Sequence, residues 1–332
     1  MNENQTTAAA EKPSSRRLKK LRMQSMSREE RSYVRRKEIT DRIWPFFRFV
    51  ILFGLGFVIL YPLIYMISCT FRDSSEMYDP TVMWIPRHPT LKVLRETVDA
   101  MDFWNTLANT LILNIGCSAV QVFSCAITGY GFARFSFRGK KLLFGIVILM
   151  ILVPTQIISL PLFFQFRFFG IKGIYTTNLL DTMWTMYLPA MTANGIRSGL
   201  MILIFRQFFR GLPKEIEDAA YIDGCGPFMT FVKVMIPNSL SAFLTVFLFS
   251  VVWYWNDYYV STMYFHKIRT ISTSLYNLDS ILFGIDSTQM SAREKIVWKQ
   301  AGCLISIAPL LVMYTFLQKY FTEGIERSGL VS

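Results

Sequence analysis

The chain has 332 residues, of which 52% are hydrophobic and 15% aromatic, and only 17% are charged, against about 25% in soluble domains. Uncharged stretches recur along its length, which excludes a large soluble helical core. The formal charge of +12 does not argue for nucleic acid, because the first 42 residues alone carry twelve Lys and Arg against six acids.

That basic segment includes Arg16, Arg17, Lys19, Lys20, Arg35, Arg36 and Lys37. Its polar, charged composition predicts disorder over about the first 25 residues. Positive residues stay on the cytoplasmic side of a membrane, so the tail is expected there, with some attraction to anionic lipid. The first apolar run begins only after position 42 and is long enough to span, so it reads as an anchor and not as a cleaved signal peptide.

A bilayer core of about 30 Å needs roughly 20 apolar helical residues. Six runs meet this, at approximately 44–68, 107–132, 142–166, 182–205, 240–265 and 300–321. Trp44, Trp104, Trp184, Tyr187, Trp298 and Tyr320 flank them, as suits rings with one polar edge. The expected fold class is an all-α integral membrane protein with about six transmembrane helices and both termini cytoplasmic. The loop from Arg134 to Lys141 holds four basic residues and no acid, placing it on the tail's side. The loops 69–103 and 266–298 then lie outside the cell. Three segments follow: a basic tail over 1–42, a first span and outer loop over 43–103, and a core over 104–332 containing a cytoplasmic loop at 206–237.

Prolines 62, 154, 161, 189 and 309 fall inside the runs. Each removes a backbone hydrogen bond and favours a kink, so together they suggest helices bent around a cavity.

Little in the chain supports enzyme chemistry. Cys69, Cys117, Cys125, Cys225 and Cys303 are scattered without a CxxC pair and read as packing residues. With only His88 and His266, neither a His-based metal cluster nor a Ser-His-Asp set can be assembled. Gly139-Lys140 is followed by Lys141, and Arg134 stands where a phosphate-binding loop would need its first glycine. Any active transport therefore draws on an ion gradient or another subunit.

The polar interruption from Phe205 to Pro237 reads as two short helices. Pro213 suits a first helical position, Glu215, Glu217 and Asp218 suit the positive end of the helix dipole, and Gly224 suits a left-handed terminus. Ile216, Ala219 and Ala220 are expected on one face, where small side chains permit close approach. A second helix is expected from Pro227, with Phe228, Phe231, Val232 and Met235 on one face and Pro237 ending it.

This loop resembles that of the binding-protein-dependent permeases of ATP-binding-cassette (ABC) importers, whose pattern is EAA, three residues, Gly, nine residues, then I-x-L-P. Here it reads Asp218-Ala219-Ala220, three residues, Gly224, nine residues, then Val234-Met235-Ile236-Pro237. Asp replaces Glu, Val replaces Ile, Ile replaces Leu, and Ser241 stands where the family often has Pro. The resemblance runs from Phe103 to the C-terminus and is nearest the carbohydrate-importing, maltose-type branch. It takes in Gly129-Tyr130-Gly131-Phe132-Ala133-Arg134, Val153-Pro154-Thr155-Gln156, Trp255-Asn256-Asp257 and the ending from Gln318 to Ile325.

The resemblance implies a type I ABC importer permease fold and an ATPase-coupling loop involving Glu217, Asp218, Ala219, Ala220, Asp223, Gly224 and Pro237. It implies a plasma-membrane subunit that binds no cofactor itself and translocates a sugar by alternating access. The partners implied are a second permease, two ATPase subunits that use ATP and Mg, an extracytoplasmic solute-binding protein and membrane lipid. Trp255, Asn256 and Asp257 are candidates for a substrate pathway, since an intramembrane ionisable residue suggests function. The rings of Trp253, Tyr254, Trp255, Tyr258 and Tyr259 suit either sugar stacking or interfacial anchoring. Two other classes compete. An ion-driven transporter would need buried acids, of which only Asp257 and Asp181 lie near the spans, and a receptor or scaffold would need a signalling domain.

Overall fold

The computed structural model describes residues 27–332 apart from 74, 75, 77, 78, 80, 83, 172–174, 285–291 and 330–332. The expected disorder of the first 25 residues lies outside the described residues. Helix α1 (Arg28–Thr70) opens on a reciprocal cap, the Glu30 N–H donating to Ser27 Oγ at 3.3 Å and the Ser27 N–H to the Glu30 carboxylate at 2.8 Å. It continues through Pro45 and Pro62, so no break marks the expected boundary at 42. The chain divides into two compact units, Met1–Ile64 and Tyr65–Ser332. The described part of the first is helical apart from the capping Ser27.

In the second unit α2 (Lys92–Ala100) is followed by α3 (Phe103–Arg134), α4 (Lys140–Leu152) and α5 (Thr155–Arg167). A two-stranded antiparallel hairpin, β1 (Phe169–Ile171) and β2 (Tyr175–Thr177), precedes α6 (Trp184–Met191) and α7 (Ser198–Gly211). Then come α8 (Glu215–Ile222), α9 (Pro227–Thr230), a π-turn (Phe231–Met235), α10 (Ile236–Asn238) and α11 (Leu240–Asn256). Four further helices complete the chain: α12 (Tyr259–Tyr264), α13 (Ile271–Tyr276), α14 (Leu278–Phe283) and α15 (Ala292–Gly329).

Three of the six apolar runs lie in helices long and apolar enough to cross a membrane by themselves: Ile39–Thr70, Phe103–Arg134 and Lys295–Phe316. The other three are broken. The run 142–166 bends by 103° between α4 and α5. Pro154 explains this, since a residue before proline is pushed out of the helical region, and Val153 has ψ 120°. The run 240–265 ends its long helix at Asn256, resuming as short α12. Its α11 meets the preceding helical stretch Pro227–Asn238 at 82°. Counting each bent pair as one span gives up to five among the described residues.

The run 182–205 divides into α6 and α7, separated by residues 192–197. Ala193 (φ 54°) and Arg197 (φ 55°) both adopt the left-handed region there. Opened backbone within an apolar run is tolerated only where its polar groups find partners. α3 supplies them: Gln121 Nε2 donates to the Ile196 carbonyl at 2.7 Å and to Ser198 Oγ at 2.9 Å, and Ser124 Oγ donates to the Ala190 carbonyl at 2.6 Å. The Tyr254 hydroxyl donates to Gln121 Oε1, and Asn114 Nδ2 donates to the Val251 carbonyl at 2.9 Å, which ties α3 to α11 as well.

In lipid the packing of helices rests on close contact more than on hydrophobic transfer, because the surroundings are already apolar. α3 and α7 meet that requirement at Gly129, where a Cβ would fall 2.7 Å from the Phe205 Cβ and 3.0 Å from the Arg206 backbone nitrogen. Around this crossing lie Tyr130, Met201, Phe205, Phe209 and Phe231, all buried. Leu142, Leu149, Leu152 and Ile157 are exposed on α4 and α5, as suits helices facing lipid.

The loops expected outside the cell meet at one end of this unit. Trp298 Nε1 donates to Glu96 at 3.0 Å, and Val93 packs with Val297 and Ala301. At the other end, Arg134 joins the basic loop to the segment after α7.

Candidate functional site

α8 follows Pro213 by one residue and begins at Glu215, two residues later than the sequence predicts. Its three acids, Glu215, Glu217 and Asp218, lie in the first turn, where the helix dipole favours negative charge. Its other end is closed by two hydrogen bonds: the Gly224 N–H donates to the Tyr221 carbonyl at 3.1 Å and the Cys225 N–H to the Ala220 carbonyl at 2.9 Å. This nested pair requires a left-handed residue at 224, and Gly224 has φ 79°. A Cβ there would meet nothing within 4 Å, so the need for glycine comes from the backbone and not from space.

The helix presents two different faces. Glu215, Asp218, Ala219 and Ile222 follow i, i+3, i+4, i+7 spacing, and all four are exposed, Ile222 by 86%. Glu217 and Ala220 are buried and Ile216 half-buried. Ala219 and Ala220 therefore do not share a face: consecutive helical residues are about 100° apart, so one points outward and the other inward.

Glu217 is held from below. Its carboxylate lies 3.2 Å from Arg134 Nε, both side chains being buried, and Arg134 also donates to the Leu212 carbonyl at 2.7 Å. Arg134 ends α3 and Leu212 closes α7. One guanidinium thus joins α3, α7 and α8. The sequence places Arg134 in the basic loop and in the run that resembles the family, but no local spacing connects it with Glu217.

After Gly224 the second helical stretch runs from Pro227 to Asn238, one residue past Pro237, and turns at Ser239. The expected apolar face is split lengthwise. Phe231 and Met235 are buried, with Phe231 ring centroids 5.1 Å from Tyr130 and 6.1 Å from Phe209, whereas Phe228 and Val232 are exposed. The stretch lies on the unit with one edge and leaves the other free. Ile222 and Met229 are exposed as well, as are Asp218 and Asp223.

The three pathway candidates have separate surroundings. Trp255 is buried and its indole N–H donates to the Ser306 carbonyl at 3.1 Å, in the turn before Pro309. Asn256 is exposed and donates to the Val252 carbonyl at 2.8 Å. Asp257 accepts from the Ser261 N–H and Oγ, each at 2.9 Å, and from the Val260 N–H at 3.3 Å, which satisfies free donors at the start of α12. Trp255 and Asn256 line a cleft of about 500 Å³ with the stacked rings of Tyr258 and Tyr276 nearby. Asp181 is likewise committed, accepting from the N–H groups of His266 and Lys267.

Arg197 escaped the sequence reading although it lies inside the run 182–205. It sits at the break before α7, exposed, with its guanidinium 5.5 Å from the Trp253 ring centroid, and lines a cavity of about 450 Å³ with Asn194, Gly195 and Tyr254. A charged side chain within an apolar run was the available signal.

Residues 125–327 match the family described as binding-protein-dependent transport system inner membrane component. The chain is 26% identical to protein LplC of Bacillus subtilis, over 86% of this chain and 93% of that one. It is 25% identical to the arabinooligosaccharides transport system permease protein AraQ of Halalkalibacterium halodurans, over 83% and 92%. A polygalacturonan/rhamnogalacturonan transport system permease protein, YtcP of B. subtilis, is 26% identical over 83% and 93%. Among solved structures, a chain of a bacterial ABC transporter involved in the import of the acidic polysaccharide alginate superposes with a TM-score of 0.67 at 22% identity, covering 85% of this chain and 98% of that one, which shows a shared fold. The matched segment contains the buried anchor, the capped helix and both edges of the exposed surface, and the chain belongs to the family of binding-protein-dependent transport system inner membrane components.

Proposed function

We propose that this permease subunit moves a saccharide across the plasma membrane by alternating access, with a second permease and two separate ATPase subunits that use ATP and Mg. An extracytoplasmic binding protein delivers the solute. The observation that carries this reading is α8 itself, a helix fastened from below through Glu217 and closed by Gly224, with Asp218, Ala219 and Ile222 turned outward. Such a surface suits docking on an ATPase. The saccharide cargo is supported by the printed names of the arabinooligosaccharide and polygalacturonan/rhamnogalacturonan relatives. N- and C-termini lie in the cytoplasm on this reading, following the basic tail and the basic loop at 134–141.

The solute path runs along the face bearing Asn194, Arg197 and Trp253. An arginine at the centre of a spanning helix costs at least about 2.5–3.5 kcal/mol when it faces lipid, so Arg197 belongs on an aqueous or subunit-covered face. The carboxylates of Asp181 and Asp257 are engaged by backbone N–H groups, so neither supports a proton- or sodium-driven rival. A reconstituted complex of the chain with its companion subunits should hydrolyse ATP faster when solute-loaded binding protein is added. Uptake by the chain alone, driven by a proton or sodium gradient, would refute the reading.

A further inference from the structure

α4 and α7 run antiparallel in close contact. A Cβ at Gly199 would fall 2.9 Å from the Val147 carbonyl oxygen. Further along α7, the Arg206 guanidinium lies 4.0 Å from the centroid of the Phe144 ring. Side chains three or four apart share a helix face. Arg210, one turn beyond Arg206, and Lys140 and Lys141, one turn before Phe144, therefore stand at the same end of this contact. Among the described residues, none of these basic side chains forms an ion pair with a carboxylate. Glu217, the buried acid at this end of the unit, is taken by Arg134 at 3.2 Å.

From this placement we infer that the basic end of the α4–α7 crevice binds the headgroup of an anionic phospholipid, with Arg206 and Arg210 on its phosphate. Arg206 Nε is buried without a hydrogen-bond partner. The ring face beneath the guanidinium fixes it but carries no negative charge to neutralise it. Beside the lysines, Leu142 is 73% exposed and Leu143 is exposed too, so the charges border a surface that takes hydrocarbon cover. A ligand that meets both needs is an anion with an apolar body. Guanidinium groups pair with phosphate oxygens through parallel N–H donors, and basic pockets between spanning helices take anionic headgroups. A carboxylate from a protein partner would answer the charges but leave both leucines uncovered. The inference stands on membrane embedding and not on the coupling or solute roles proposed above.

The test uses the whole complex in phosphatidylcholine nanodiscs containing a limiting amount of phosphatidylglycerol with a photoreactive diazirine beside its headgroup. Irradiation and peptide mass spectrometry read adducts at 138–146 and 203–212 relative to those in the basic tail. Labelling of both segments should be competed by unlabelled phosphatidylglycerol and not by further phosphatidylcholine. Paired Arg206→Gln, Arg210→Gln should lower it about 30-fold. Paired Lys92→Gln, Arg95→Gln removes the same charge from exposed positions elsewhere and should leave it unchanged. Should the first pair fail to assemble, Arg210→Gln alone, at an exposed position, should lower labelling about fivefold. Equal competition by phosphatidylcholine, or equal losses in the two paired variants, overturns the site. Displacement of the probe by inorganic phosphate would make it a site for soluble anions. Unchanged labelling with loss of the ATPase subunits from the Arg206, Arg210 variant would assign the charges to a protein partner. Either result also overturns the inference.

Discussion

Gly224 and Asp181 each hold a left-handed backbone, and they differ in how they do it. Gly224 needs only the absence of a Cβ. A β-branched residue there costs about 1–2 kcal/mol, which is a factor of about 5–30 in the population of the closed turn. We expect Gly224→Val to lose ATPase co-purification several-fold and Gly224→Asn to retain most of it, since Asn tolerates this region. Asp181 has φ 60°, and the Lys267 N–H, with that of His266, holds its carboxyl below the usual carboxylate range. A lowered folded value stabilises the protein above the unfolded pKa of about 3.9 and is lost as pH falls through the folded value. Asp181→Asn keeps the backbone preference and removes the charge. Thermal unfolding in detergent should therefore show the variant less stable than wild type at pH 7, with the gap closing as pH falls below about 4. A gap independent of pH would mean that the charge contributes nothing.

At the scale of elements, the crossing of α3 and α7 decides whether the core can assemble. Gly129→Val drives its side chain into Phe205 and the Arg206 backbone, and overpacking of this kind costs about 1–3 kcal/mol. Gly131, two residues along α3, has nothing within 4 Å of its Cβ position. A lower unfolding temperature for Gly129→Val with little change for Gly131→Val is the expected result, and equal effects would show that helix propensity dominates over the crossing. The broken run depends on the same helix. Gln121→Leu leaves the Ile196 carbonyl without its side-chain donor, so backbone exchange at 192–197 should rise against an unchanged exchange rate in α15.

Over the whole molecule, the apolar runs and the basic loops were legible in the sequence because lipid imposes length and charge rules on every span. The coupling pattern was legible because Asp218, Ala219, Ala220 and Gly224 lie within one helix and its cap, where spacing is geometry. Hydropathy does not report backbone angles, so the breaks at Val153–Pro154 and at 192–197 read as continuous spans, hinted at only by Pro154, Pro189 and Arg197. The Arg134–Glu217 pair joins elements remote in the chain and left no periodic trace. The outward surface around Ile222 is where the functional reading stands or falls. A photo-crosslinking residue at Ile222, compared with one at Ile85 in the loop 69–103 expected outside the cell, which is also highly exposed, tests it most directly in native membranes. The account predicts that Ile222 captures an ATPase subunit with phosphate-binding motifs and that Ile85 does not; capture of that subunit from Ile85 alone, or from neither position, would contradict it.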